Sequence, residues 1–85
     1  MHITVKLFAI LRDQAGVSEL YLELCEGATI DQARTVLVEK LPAISQWLHA
    51  GRIAYAVNRS YAKGETVLQD GDELALIPPV SGGLD

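Results

Sequence analysis

A chain of 85 residues is one domain, able to bury about 60–65% of its unfolded surface and too short for a second core. Hydrophobic residues make up 49% and charged residues 21%, which excludes a disordered chain, and no apolar run is long enough to span a bilayer. The net charge of −4, with the Lys and Arg residues spread singly, forms no basic stripe, so neither nucleic acid nor membrane is expected as a partner.

The N-terminus, Met1-His2-Ile3-Thr4-Val5-Lys6, lacks a basic region ahead of an apolar stretch and reads as a strand, not a signal peptide. In that strand Ile3, Val5 and Leu7 alternate with Thr4, Lys6 and Phe8. A second alternation, Leu20, Leu22 and Leu24 against Tyr21, Glu23 and Cys25, follows the turn-like Asp13-Gln14-Ala15-Gly16, so the pair predicts a hairpin with a long loop. Thr29-Ile30-Asp31-Gln32 fits a capping box and opens a helix whose apolar stripe is Ile30, Ala33, Leu37 and Leu41. Pro42 ends it, because proline disfavours a helical conformation in its predecessor. A shorter helical turn groups Ile44, Trp47 and Leu48 and stops at Gly51.

Arg52 to Asn58 alternates Ile53, Tyr55 and Val57 with small residues and turns at Asn58-Arg59-Ser60. A short extended piece follows near Tyr61 or over Thr66 to Leu68. Asp70-Gly71 is a turn, and Glu73 to Ile77 is the last strand. The order β-β-α-β-(β)-β predicts an α+β fold, a mixed sheet of four to five strands packed on one main helix in a β-grasp, or ubiquitin-like, arrangement. The domain covers residues 1–77, and residues 78–85 form a flexible C-terminal tail carrying a diglycine with a Leu-Asp extension.

Two positions stand out of register with the core. Phe8 falls on the Thr4/Lys6 face and Ile77 on the Glu73/Ala75 face, both open to solvent in a one-helix fold. If the first and last strands are neighbours, the two residues form an exposed apolar patch at the root of the tail, the expected partner surface. Pro78 and Pro79 end the sheet, since neither has an N–H for a further ladder bond. Beyond them, Gly82 and Gly83 are thin enough for a narrow channel, and the stretch from Pro78 to Gly83 reaches roughly 20 Å when extended.

No catalytic grouping is evident. His2, His49, Ser60 and Ser81 stand alone, and Cys25 has no cationic neighbour to activate it and no companion for a disulfide or a metal. A single unpaired cysteine fits a reducing, cytoplasmic setting. Asp70, Asp72 and Glu73 flank a glycine in the manner of a solvated turn, and no metal site is assigned.

Three stretches resemble the small, sulfur-carrier subunit family of molybdopterin synthase: Val5-Lys6-Leu7-Phe8-Ala9 with Leu11-Arg12; Tyr55-Ala56-Val57-Asn58-Arg59-Ser60-Tyr61; and Leu68 through Gly83. The resemblance spans almost the whole chain and is most specific from Asp70 to Gly83. It implies a β-grasp fold and a non-catalytic sulfur-donor role within a sulfurtransferase. Gly83 would be the sulfur-bearing residue, its carboxylate adenylated by an ATP-using activating enzyme and converted to a thiocarboxylate. Val80, Ser81 and Gly82 would line a tunnel in the large subunit of molybdopterin synthase, where sulfur passes to cyclic pyranopterin monophosphate. Phe8, Arg12, Leu68, Ile77, Pro78 and Pro79 would make the docking surface. The resemblance implies no permanently bound cofactor, ATP being held by the activating enzyme, and the two sulfurs in each product favour a complex with two carriers.

Members of that family usually stop at the second glycine, whereas Leu84-Asp85 follows Gly83 here. Gly83 therefore cannot be adenylated until Leu84-Asp85 is removed, and a trimming peptidase is one way to remove it. A precursor, residues added to the natural sequence, and a paralogue that no longer carries sulfur all fit the extension. A carrier for thiamine or another thiolated metabolite, and a ubiquitin-like protein modifier, are the alternative functions.

Overall fold

Alternation of β-branched and leucine side chains with polar ones sets the first strand, β1 (His2–Leu7), in which Ile3, Val5 and Leu7 are buried and their neighbours are not. The computed structural model describes residues 1–79. β1 pairs antiparallel with β2 (Glu19–Glu23), with Thr4 opposite Tyr21 and Lys6 opposite Glu19.

The connection between them is not the open loop expected from Asp13-Gln14-Ala15-Gly16. It contains a helix, α1 (Ala9–Ala15), that buries Leu11 and ends at Gly16, whose φ of 80° lets its N–H donate to the Arg12 carbonyl at 2.9 Å. The helix has only seven residues and its N-cap, Phe8, makes no side-chain cap hydrogen bond. So short a segment shows neither a capping signature nor a full apolar stripe, and it forms because Leu11 packs into the core.

The main helix, α2 (Ile30–Lys40), has the predicted capping box: Gln32 N–H donates to Thr29 Oγ1 at 3.2 Å, and Thr29 N–H donates to Gln32 Oε1 at 2.8 Å. Ile30, Ala33 and Leu37 are buried, and Leu41, the C-cap, packs partly against them. Pro42 then begins a 3₁₀ turn, Pro42–Ile44, which runs into α3 (Ser45–His49), and Gly51 with φ 71° lets the chain leave. Trp47 Nε1 donates to Gln14 Oε1 at 3.0 Å and so ties α3 to α1.

β3 (Ala54–Val57) and β4 (Ser60–Ala62) form a hairpin whose two loop residues are Asn58 and Arg59. The Thr66-to-Leu68 piece makes one isolated bridge, Val67 to Thr29, and does not form a strand. β5 (Glu73–Ile77) fills the middle of the sheet, in the order β2-β1-β5-β3-β4, parallel to β1 and antiparallel to β3. The five strands are mixed in direction and the helices cover one face, as the β-grasp arrangement requires. Leu74 and Leu76 of β5 reach the same core as Ile3, Val5 and Leu7, and no charged or polar residue is buried among the described residues.

Candidate functional site

On the uncovered face of the sheet, register decides which side chains meet. β1 and β5 are paired so that Lys6 lies beside Ala75 and Leu7 beside Leu76, which carries the following residues, Phe8 and Ile77, to the same end of adjacent strands. β3 lies on the other side of β5, with Ala56 opposite Ala75 and Ala54 opposite Ile77, and Tyr61 of β4 is opposite Ala56. Small side chains at the centre and larger ones around them leave a groove of about 390 Å³, lined by Lys6, Phe8, Ala56, Arg59, Tyr61, Glu73, Ala75 and Ile77. The floor is Ala56 and Ala75. Phe8, 42% exposed, and Tyr61, 79% exposed, stand at opposite walls.

The groove combines apolar walls with charge at its margin, and Lys6 Nζ is already engaged with Glu19 at 3.2 Å. Its open, largely apolar shape suits the docking of another protein surface. The chain leaves the groove through Ile77, Pro78 and Pro79.

The expected docking residues divide into three groups. Phe8 and Ile77 line the groove. Arg12 is exposed on α1, close to Asp13 Oδ1 at 3.8 Å, and is not among the groove residues. Leu68 is a correction: it is 2% exposed and belongs to the core. Its N–H donates to the Ala28 carbonyl at 2.8 Å, which holds the segment along the entrance to α2 with Leu68 turned inward and Val67 outward. Pro78 is likewise buried, so it is not a surface residue, and Pro79 is half-buried. The expectations for Val80, Ser81, Gly82, Gly83 and the Leu84-Asp85 extension lie outside the described residues.

Sequence reasoning missed the groove's far half: Ala56, Arg59 and Tyr61, together with Ala75. Tyr61 is exposed and lines the groove, whereas Leu68 is buried and does not. Once β4 is known to form the edge beyond β3, alternation across Ala56 and Tyr61 identifies them, but nothing local in Ser60-Tyr61-Ala62 reveals that neighbour.

The acids of the Asp70-Gly71-Asp72-Glu73 segment hold backbone in place. Asp70 Oδ1 accepts from His2 N–H at 2.7 Å, Asp72 Oδ2 accepts from Gln69 N–H at 2.8 Å, and Asp72 Oδ1 accepts from Asn58 Nδ2 at 2.9 Å. Gly71, with φ 86°, donates its N–H to the His2 carbonyl at 2.7 Å. The turn thus ties the start of β5 to both β1 and the β3–β4 hairpin. Cys25 is exposed, beside a separate hollow of about 300 Å³ between the end of β2 and α2, at the end of the sheet remote from Ile77.

Among the described residues no helix is long and apolar enough to cross a membrane. A family model described as the ThiS family matches residues 5–83. The chain is 36% identical over 83 residues to the molybdopterin synthase sulfur carrier subunit of Arabidopsis thaliana, an alignment covering 98% of this chain and 84% of that one. Among solved structures it is similar to SAMP1 from Haloferax volcanii, with a TM-score of 0.88 and 34% identity over 98% of this chain and 100% of the other. A chain in the complex of subunits 1 and 2 of the molybdopterin-converting factor from Helicobacter pylori superposes with a TM-score of 0.70 and 26% identity, covering 98% and 100% of the two chains.

Proposed function

Because the chain belongs to the ThiS family, whose model spans residues 5–83, we propose that it is the sulfur carrier for molybdenum cofactor synthesis and delivers sulfur from Gly83. The observation that carries this reading is an open-face groove that runs along β5 as far as Phe8 and Ile77, the latter immediately preceding the Pro78-Pro79 root of a diglycine segment. A carrier needs a body that grips its partner and a slender arm that enters the active centre, and this chain has the residues for both.

The chemistry begins once a peptidase has cleaved the Gly83–Leu84 bond and freed the Gly83 carboxylate. A carboxylate oxygen attacks the α-phosphorus of ATP on the activating enzyme and expels pyrophosphate. The resulting acyl adenylate has a good leaving group, and a sulfide equivalent displaces AMP to leave the thiocarboxylate. Within the large subunit of molybdopterin synthase the sulfur then attacks a carbon of cyclic pyranopterin monophosphate and displaces an oxygen substituent, and water cleaves the acyl–sulfur bond, which leaves the sulfur on the pterin and regenerates the Gly83 carboxylate. The carrier contributes no catalytic side chain; it raises the local concentration of the tethered sulfur at the reacting carbon.

The body must offset the cost of threading the arm, which is about 1–2 kcal/mol for each residue ordered. Phe8, Tyr61 and Ile77 around an alanine floor supply apolar contact for that purpose, and the Pro78-Pro79 pair stiffens the root beforehand. The complex of the two converting-factor subunits from Helicobacter pylori supports a second subunit as the partner. The likeness to SAMP1, a small archaeal modifier protein, favours one further reading: the same activated Gly83 carboxyl could be transferred to a lysine amine of another protein.

The test is the mass of the C-terminal peptide from untagged protein made in its own host. A peptide ending at Gly83 with one oxygen replaced by sulfur, and alkylated there rather than at Cys25, is the expected result. Peptides that all retain Leu84-Asp85 while the host is making molybdenum cofactor would overturn the carrier reading. An isopeptide between Gly83 and a lysine would establish the modifier reading.

A further inference from the structure

Three residues other than glycine occupy the left-handed region in the described chain: Ala9 at φ 53°, Asn58 at φ 50° and Arg59 at φ 73°. Of the three, Arg59 lines the open-face groove; Asn58 precedes it in the β3–β4 turn, and Ala9 follows the groove residue Phe8 without lining the groove itself. Backbone strain of this kind persists only where the surroundings enforce it, and it concentrates at functional surfaces.

Arg59 is the most telling of the three. Asn58 and Arg59 form a two-residue hairpin loop in which both central residues have positive φ, the pattern that favours asparagine first and glycine second. Asn58 follows that preference and is held in place, its Nδ2 donating to Asp72 Oδ1 at 2.9 Å and its Oδ1 accepting from Glu73 N–H at 3.0 Å. At Arg59 the position that favours glycine carries a long cationic side chain instead. That side chain makes no hydrogen bond and no ion pair with any described residue. It is exposed and lines the groove. Glycine would adopt this φ without the steric cost that a Cβ adds, and no hydrogen bond or ion pair of the Arg59 side chain with a described residue offsets that cost.

We infer that Arg59 is a specificity residue of the docking face: the chain tolerates its strained backbone in order to present a guanidinium beside the Phe8–Tyr61 groove to a carboxylate on the tail-receiving subunit. The inference rests on the proposed docking face. Lys6, the other cation of the groove, is occupied by Glu19, so Arg59 is the groove cation left without an intramolecular partner among the described residues. A guanidinium pairs with a carboxylate through two parallel hydrogen bonds, which sets orientation as well as affinity.

This predicts opposite changes in two quantities. In the full-length chain, Arg59→Gly raises Tm by about 4 °C, because the strain at this position is relieved. The same substitution weakens binding to the molybdopterin synthase large subunit by about tenfold, as expected for one lost charge-assisted hydrogen-bonded pair, and flattens the dependence of affinity on salt. Arg59→Glu weakens binding further than Arg59→Gly. Ile77→Asp serves as the control for the face itself. A Tm for Arg59→Gly that is unchanged or lower would overturn the inference, as would wild-type affinity in Arg59→Gly while Ile77→Asp fails to bind, or equal binding by the glycine and glutamate variants. If Ile77→Asp also binds normally, or the wild-type chain does not bind the subunit, the docking face itself falls and the inference with it.

Discussion

The two faces of this sheet are made from the same strands, residue by residue in alternation, yet they end in different states. On the covered face Ile3, Val5, Leu7, Leu74 and Leu76 are at most 2% exposed and close against α2 and α3. On the open face their immediate neighbours Lys6, Phe8, Glu73, Ala75 and Ile77 border a groove that no part of the described chain fills. One face is complete by itself, and its side chains are chosen for volume. The other is open, and its side chains vary from alanine to phenylalanine, so that they leave a groove and do not close into a packed layer. The comparison teaches that fold and docking can be separated by a single step along β5.

The largest effect tests the covered face. Leu74→Ala is expected to cost about 2–5 kcal/mol in urea unfolding, because its fully buried side chain leaves a cavity among well-packed neighbours. In so small a domain that loss removes much of the total stability. A cost under 1 kcal/mol would show that the covered face is not the closed core described.

The neighbouring strand position gives the reverse result. Ile77→Asp, and to a lesser degree Phe8→Ala, should weaken association with the large subunit by about 2 kcal/mol or more, as for a central interface residue, while the urea midpoint changes little. Calorimetric titration together with the unfolding curve separates the two quantities. Loss of fold in either variant would merge the two faces and remove the docking proposal.

A smaller effect lies on the helix that covers the sheet. Thr29→Ala removes the hydroxyl that accepts from Gln32 N–H and should lower stability by about 1 kcal/mol without altering partner affinity. An affinity change at constant folded fraction would show that the two faces communicate through α2.

The smallest effect concerns Tyr55, half-buried beneath the helices on the covered side. Burial pushes its pKa above the ordinary value of 10.0, Arg34 lowers it and Asp31 adds to the rise. The folded protein therefore holds the phenol proton more tightly than the unfolded chain. Its contribution to stability is fully present below the unfolded value and is lost as pH rises through the folded one. Unfolding followed from pH 9 to 11 should show stability falling at the upper end of the range, and less steeply in Tyr55→Phe. Identical profiles would mean that Tyr55 is solvated in the native state.

Much of this was legible locally. The alternation in Ile3 to Leu7 and Glu73 to Ile77, the Thr29–Gln32 capping box, the stop at Pro42 and the turns at Asn58 and Gly71 all depend on neighbours within a few residues. The out-of-register positions of Phe8 and Ile77 were equally visible, since a period of two assigns each strand residue to a face without knowledge of the rest. The helix α1 was not, because seven residues with one buried leucine, Leu11, are stabilised by the core they meet and not by their own pattern.

What the chain order by itself determined is which residues share a face; what tertiary structure decided is which faces share a surface. Phe8 and Ile77 are 69 positions apart by their numbers, and only the parallel pairing of β1 with β5 brings them together. The burial of Leu68 and the exposure of Tyr61 at the groove were decided in the same way. A bridge from Val67 to Thr29 turned the leucine under α2, and the β3–β4 hairpin carried the tyrosine to the edge of the groove. Side-chain direction is a local property of backbone geometry, whereas adjacency between strands depends on contacts distant in sequence, and the docking groove is built from the second.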